Sequence, residues 1–364
     1  MKNPVNKILE IVEDSACVTR FSSSDWNLLI SQARLYDLIP FVYHEISDMG
    51  HIQCVPVEIL QLMDGYVTRL EYLKTLYLWD LKQIEKLAVE FNVQVIVLKG
   101  MAYLIGELGI YKSRNFADID LLVKGDDFKF FEKKLTSHGW HFKELNDYDD
   151  HYYREWSHAS PPMTNILTGL ELDLHHHISS PISDIKVDTQ CLLDKALEVK
   201  GSTLFRLSDE DVILHCANHF IYFDDVHGKF KDILHIHYMI KQNPEEDIWL
   251  RLYQRAQVLG LESTLFYMVG LLEHFFKVEP AVQIREWQSN FSKNPKKLVL
   301  LYLLKYCLSA ERVDSVKYKL MTSLLVVRYQ WTRYPLNILM THLVKKHLIH
   351  RFIRWRAPDK KQDE

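Results

Sequence analysis

Two aspartates spaced i, i+2, Asp118 and Asp120, interrupt the apolar run Ile119, Leu121, Leu122 and Val123. On a β-strand such positions project from one face, so the pair can present two carboxylates side by side. Hard divalent cations prefer oxygen donors, and Mg²⁺ favours carboxylates shared with substrate phosphates. Two such ions stabilise both the attacking and the leaving oxygen of an in-line displacement at phosphorus. Asp173, between Leu172 and Leu174, offers a third carboxylate on another strand candidate. Carboxylates inside apolar runs need a metal or polar partners, because burying them bare is costly.

Phosphate-binding groups precede the pair. Lys99-Gly100 stands at a strand-to-helix turn, where Gly lets backbone approach a phosphate and the helix N-terminus offers free N–H groups. Lys99 adds a point charge. Arg114, on the loop before Asp118, supplies a guanidinium fork suited to phosphate oxygens.

In order, Val97-Leu98-Lys99-Gly100-Met101-Ala102, then Arg114-Asn115-Phe116-Ala117-Asp118-Ile119-Asp120-Leu121-Leu122-Val123, resembles the signature of a bacterial nucleotidyltransferase family. That family belongs to the polymerase-β-like superfamily, and its members are largely uncharacterised. Leu172-Asp173-Leu174-His175 resembles its third motif. Asp25-Trp26 to Pro40 is similar to its N-terminal helices, and Leu214-His215 to Lys231-Asp232-Ile233-Leu234 to its C-terminal block. The resemblance implies a mixed sheet with flanking helices and metal binding by Asp118 and Asp120. It also implies that Asp173 helps bind metal or activates the acceptor hydroxyl. The superfamily's usual Gly-Gly or Gly-Ser is Lys99-Gly100 here, so the triphosphate grip departs from the common pattern and phosphoryl transfer stays open as the alternative.

Other clusters carry less. In His175-His176-His177 the middle residue points away from its neighbours on a strand, and Cys or His partners at zinc spacing are missing. His175 is better suited to orienting Asp173 or touching a phosphate. His215 and His219 are i, i+4, but Cys216-Ala217 replaces the Glu of a zincin pattern, which favours packing. Asp232, on a helix after Asp224-Asp225-Val226-His227-Gly228, either faces the nucleotide or forms a surface ion pair with Lys231. Neither GxGxxG nor a P-loop occurs.

The elements that must position these groups follow from periodicity. Residues 22–47 open with Ser22 to Ser24 and Asp25, a capping cluster ahead of a helix that should end before Pro40. Residues 57–91 read as one or two long amphipathic helices. Residues 93–98, 118–123 and 171–178 read as strands, with helices from Met101 to Leu108 and from Asp126 to His138. Trp140 to Phe142 and Tyr152 to Trp156 are further strand candidates. Helices are expected near 209–223, 229–241, 247–259, 261–276, 296–308 and 317–327, with Pro335 opening a last one. The expected fold is α+β: an N-terminal helical region 1–91, a small mixed-sheet core 92–200 and a C-terminal helical domain 201–364.

The 364 residues suffice for more than one domain, and 48% apolar with 25% charged residues is the composition of a folded protein. A net charge of −4 gives no global attraction to nucleic acid or anionic lipid. The basic amphipathic tail from Leu343 to Arg356 is the one candidate for a peripheral membrane, RNA or partner contact, with terminal packing favoured. Five scattered cysteines form no CxxC pair, and the first residues lack a signal peptide's apolar stretch, so a cytoplasmic setting is expected. The reading is an Mg²⁺- or Mn²⁺-dependent transfer of a nucleotidyl group, AMP from ATP, to a hydroxyl or phosphate acceptor. Asp118, Asp120 and Asp173 would be the catalytic and metal-binding residues. Lys99, Gly100, Arg114, His175 and Asp232 would bind the nucleotide. A kinase-like phosphotransferase and a non-catalytic binding protein are the alternatives.

Overall fold

A computed structural model describes residues 5–222, 228–243, 247–309 and 315–343. The tail after Leu343 and residues 223–227 of the loop before Gly228 lie outside the described residues. The chain opens with helices α1 (Asn6–Glu13), α2 (Ser23–Leu35), α3 (Ile39–Asp48) and the 34-residue α4 (Val57–Glu90). Ser22 and Asp25 of the expected capping cluster form a reciprocal capping box at α2. The break falls at Asp37, which takes a left-handed φ of 56°, and Pro40 lies in the first turn of α3 rather than after a helix. Proline there sacrifices no intrahelical hydrogen bond.

The central region alternates. It runs β1 (Ile96–Leu98), α5 (Lys99–Ile105), β2 (Ile119–Leu122), α6 (Gly125–Ser137), β3 (Trp140–Phe142), α7 (Asp147–Glu155), β4 (Met163–Asn165), β5 (Glu171–His175), α8 (Thr189–Leu193), β6 (Leu197–Glu198) and β7 (Phe205–Arg206). Tyr152 to Trp156, expected as a strand, belongs to the end of α7 instead. Asn146 caps that helix, and Asp147, Asp149 and Asp150 in its first turn complement the positive end of the helix dipole. These local signals outweigh the β-preference of the aromatic residues. The remaining helices are α9 (Asp209–Ile221), α10 (Phe230–Lys241), α11 (Asp247–Leu259), α12 (Glu262–Phe276), α13 (Val282–Phe291), α14 (Pro295–Leu308), α15 (Val316–Arg333) and α16 (Leu336–Leu343). No helix among the described residues is long and apolar enough to cross a membrane. All five cysteines are free.

The strands form one mixed sheet in the order β3-β4-β5-β2-β1-β7-β6. β2 runs antiparallel to β1 and parallel to β5, with Asp120 opposite Leu98 on one side and Asp173 on the other. Side-chain alternation then divides the sheet. Val97, Ile119, Leu121, Leu172 and Leu174 pack against Leu70, Leu81 and Ile84 of α4 and Phe131 of α6. Ile96, Leu98 and Leu122 face the other way, into an apolar cluster shared with the N-terminal helices and with α9, α10 and α12. Asp120, between two leucine-type positions of the α4 face, therefore points to the side of the C-terminal helices. A one-residue slip of β2 would bury both aspartates under α4 and expose Leu121, which pins the register.

Candidate active site

The strand register delivers the carboxylates. Asp120 and Asp173 are paired across parallel strands, and donor atoms of Asp120, Asp173 and His175 lie within 4.8 Å of one another. Asp118, just ahead of β2, faces the same cavity as Asp173. That cavity, of about 600 Å³, lies between the sheet and helices α7, α9, α10 and α15.

Asp120 is the buried member. Lys99 Nζ lies 2.6 Å from its Oδ1, and His175 Nε2 lies 2.9 Å from the same oxygen. Burial works against its charge, but the Lys99 ammonium and His175 outweigh it and hold the Asp120 carboxyl well below the usual carboxylate range. An ionised carboxylate only accepts, so His175 donates through Nε2, which leaves its Nδ1 buried without a partner. The expected service of His175 to Asp173 is thus directed to Asp120. Lys99 reaches Asp120 from a left-handed backbone, φ 45°, at the β1–α5 junction. A lysine in that region is costly, and such strain concentrates where side-chain placement matters.

Asp118 and Asp173 accept no hydrogen bond from any described residue. Burial and the neighbouring Asp120 push the Asp118 carboxyl up to about 7, with Lys99 pulling the other way. Asp173 is raised by the same two causes. Three carboxylates thus share one lysine ammonium as their nearest full charge. The excess negative charge and the oxygen-rich donor set fit a hard divalent cation at this place.

Gly100 also has a packing task. A Cβ there would lie 2.7 Å from Cδ1 of Phe116, so the missing side chain admits the ring that closes the loop before Asp118. Phe116 in turn meets Tyr77 of α4 edge-on at 5.9 Å. Gly100→Ala is expected to cost about 1–3 kcal/mol by overpacking, read as a lower urea midpoint with an unchanged slope.

Arg114 and Asp232 meet. Nη2 of Arg114 lies 2.6 Å from Oδ1 of Asp232, the Asp232 side chain is buried and that of Arg114 partly so, and Nη1 of Arg114 is buried without a partner. The guanidinium also covers the Tyr103 ring at 5.1 Å. Lys231 pairs with Asp37 rather than with Asp232. His215 and His219 both line the cavity from α9, and burial lowers both, His215 to about 3. His177 lies beyond the end of β5 and bonds Thr189 Oγ1 at 2.9 Å. The cavity also gathers residues that no motif announced: His158, Tyr152, Tyr153, Lys229, Tyr329 and Arg333. Residues from α7, the start of α10, α15 and the segment after α7 carry no short spacing by which a sequence could reveal them.

No curated protein and no solved structure matches the chain. Residues 22–277, which hold every strand and all three aspartates, match the family described as uncharacterised nucleotidyltransferases, and the chain belongs to that family.

Proposed function

We propose that the chain transfers a nucleotidyl group, AMP from ATP, to an acceptor hydroxyl or phosphate with the help of Mg²⁺ or Mn²⁺. The observation that carries this reading is the meeting of Asp118, Asp120 and Asp173 on one face of neighbouring parallel strands. These three would hold the cations, which neutralise the triphosphate and stabilise the attacking and leaving oxygens. An acceptor oxygen forms the new bond to the α-phosphorus, the bond to the β-phosphate bridging oxygen breaks, and pyrophosphate departs with that electron pair. Asp173, raised by burial and by Asp120, is the carboxylate suited to take the acceptor's proton. Lys99, at the end of β1, supplies a positive charge for the phosphates, and Gly100 and Phe116 shape the floor beneath them. His175 keeps Asp120 oriented. Arg114 contributes its unpaired Nη1 edge while Asp232 fixes the opposite one.

The test follows the label. With Mg²⁺ and ATP labelled at the α-phosphate, product should carry the label and pyrophosphate should be released. Transfer of a γ-phosphate label would instead establish the kinase-like reading. A retained scaffold without activity would show neither, and no thermal shift with any nucleoside triphosphate and Mg²⁺ or Mn²⁺.

A pH dependence follows from Asp118, whose folded carboxyl is raised to about 7. A raised carboxyl binds its proton more tightly in the folded chain than in the unfolded one, so its stabilising contribution is present at low pH and lost as pH rises through about 7. Cation binding requires the ionised form. Added Mg²⁺ should therefore raise the melting temperature more at pH 8 than at pH 6. An equal shift at both values would count against Asp118 as a ligand.

A further inference from the structure

The cavity has a second end, built largely from a helix beyond the family match. The match stops at residue 277, whereas Tyr329, Thr332 and Arg333 come from α15, Val316–Arg333. Arg333 Nη2 donates to the Tyr152 hydroxyl at 2.5 Å, and the Tyr334 hydroxyl lies 3.2 Å from the same oxygen. The guanidinium carbon stands 5.3 Å from the Tyr329 ring centre and 5.9 Å from that of Tyr152. The 180–185 loop braces this corner, since Asp184 N and Ser183 Oγ both donate to the Thr332 carbonyl. The guanidinium is thus oriented by hydroxyl and ring contacts. Among the described residues no carboxylate pairs with it, unlike Arg114, Arg206, Arg251 and Arg255, each of which has its aspartate or glutamate.

The two ends share one chamber. Tyr153 and His158 line it together with Asp173 and His175 of the carboxylate end and Arg333 of the α15 end. The carboxylate end suits a metal-bound triphosphate. The α15 end offers a fixed, unneutralised guanidinium among aromatic walls, which is the donor geometry for an oxyanion.

We infer that Arg333, held by Tyr152 and flanked by Tyr329 and Tyr334, is the acceptor's anchor, so that the acceptor is a small hydroxyl compound bearing a carboxylate or phosphate. The anchoring group sits at α15 and the hydroxyl is presented toward Asp173. This rests on the nucleotidyl-transfer reading for the identity of the second ligand, but the anion site is testable by itself.

The experiment uses the full chain, without phosphate buffer, and compares the parent with Arg333→Met and Arg333→Lys. Thermal melting and calorimetric titration are run with glucose 6-phosphate, gluconate and glucose, and separately with Mg²⁺ and a triphosphate carrying a methylene bridge between its α- and β-phosphorus. The sugar phosphate or the sugar acid should stabilise the parent, glucose should not, and Arg333→Met should bind that anion about ten- to a hundredfold more weakly, the loss expected for a charge-assisted hydrogen bond. Arg333→Lys should recover part of the affinity, and all three proteins should respond equally to the nucleotide. The stronger of the two arms identifies the oxyanion. Anion binding that ignores Arg333→Met, or no anion response in the parent, overturns the proposal. Loss of the nucleotide response in Arg333→Met also overturns it, because Arg333 would then serve the triphosphate. If no protein responds to nucleotide while the anion response still depends on Arg333, the transferase reading fails and the anion site stands.

Discussion

Asp120→Asn is expected to lower nucleotidyl transfer by about 10³-fold, the scale on which removing one preorganised electrostatic group slows an enzyme. The side chain keeps its size, so the change isolates charge. It acts twice, because Asp120 is both the carboxylate held most firmly ionised and the anchor of Lys99 and His175. With a neutral amide in its place, the mostly buried Lys99 ammonium loses its nearest counter-charge and the candidate cation site loses its central oxygen donor. Mn²⁺ titration followed by electron paramagnetic resonance gives a readout that needs no acceptor. Parent-like Mn²⁺ affinity in Asp120→Asn would remove the metal site from this end of the sheet. The double variant Lys99→Met/Asp120→Asn separates the two effects: it should regain thermal stability lost by the single variant and regain no Mn²⁺ binding.

The parts of this site that sequence made legible are those with short-range periodicity. Asp118 and Asp120 stand at i, i+2 among β-branched and leucine residues, so strand and face were readable, and Asp173 between two leucines repeated the pattern, whereas the pairing of β2 with β1 and β5 was not. The same logic located α4, where apolar residues recur over nine turns without a glycine or proline after Gly65. Where two local preferences compete, the reading failed: Tyr152, Tyr153 and Trp156 favour a strand, and the Asn146 cap with its acidic first turn decides for α7. The two-residue strands β6 and β7 are too short to show alternation. α13, with Ile284 as its only buried residue, has a weak apolar stripe and went unread. Contacts between residues far apart in the chain leave no local trace. Asp232 meets Arg114 across 118 positions and Arg333 meets Tyr152 across 181, so the partners of both arginines became visible only in the fold.

Asp232→Ala is the second large effect, and it falls on stability. Removing one partner of a buried ion pair strands the other charge and costs about 3–5 kcal/mol. Burial opposes the charge of Asp232, and the Arg114 guanidinium, with Lys229, holds its carboxyl below the ordinary range, so both groups are ionised in the folded chain. The pair also fastens the loop ahead of β2 to α10. Next to it Ile110 N donates to His235 Nδ1 at 3.2 Å, Gly109 N donates to Gln242 Oε1 at 2.6 Å, and the Tyr103 and His235 rings lie 4.1 Å apart. Asp232→Ala should therefore lower the urea midpoint, while the double variant Arg114→Met/Asp232→Leu, which leaves no bare charge, should recover most of the loss. Mn²⁺ affinity discriminates further. The cation donors sit on β2 and β5, whose register depends on the α4 face and not on α10, so the double variant should bind Mn²⁺ within a few-fold of the parent while its triphosphate affinity falls with the loss of the guanidinium. If Mn²⁺ binding falls as far as it does in Asp120→Asn, the loop tether rather than the strand register governs where Asp118 stands.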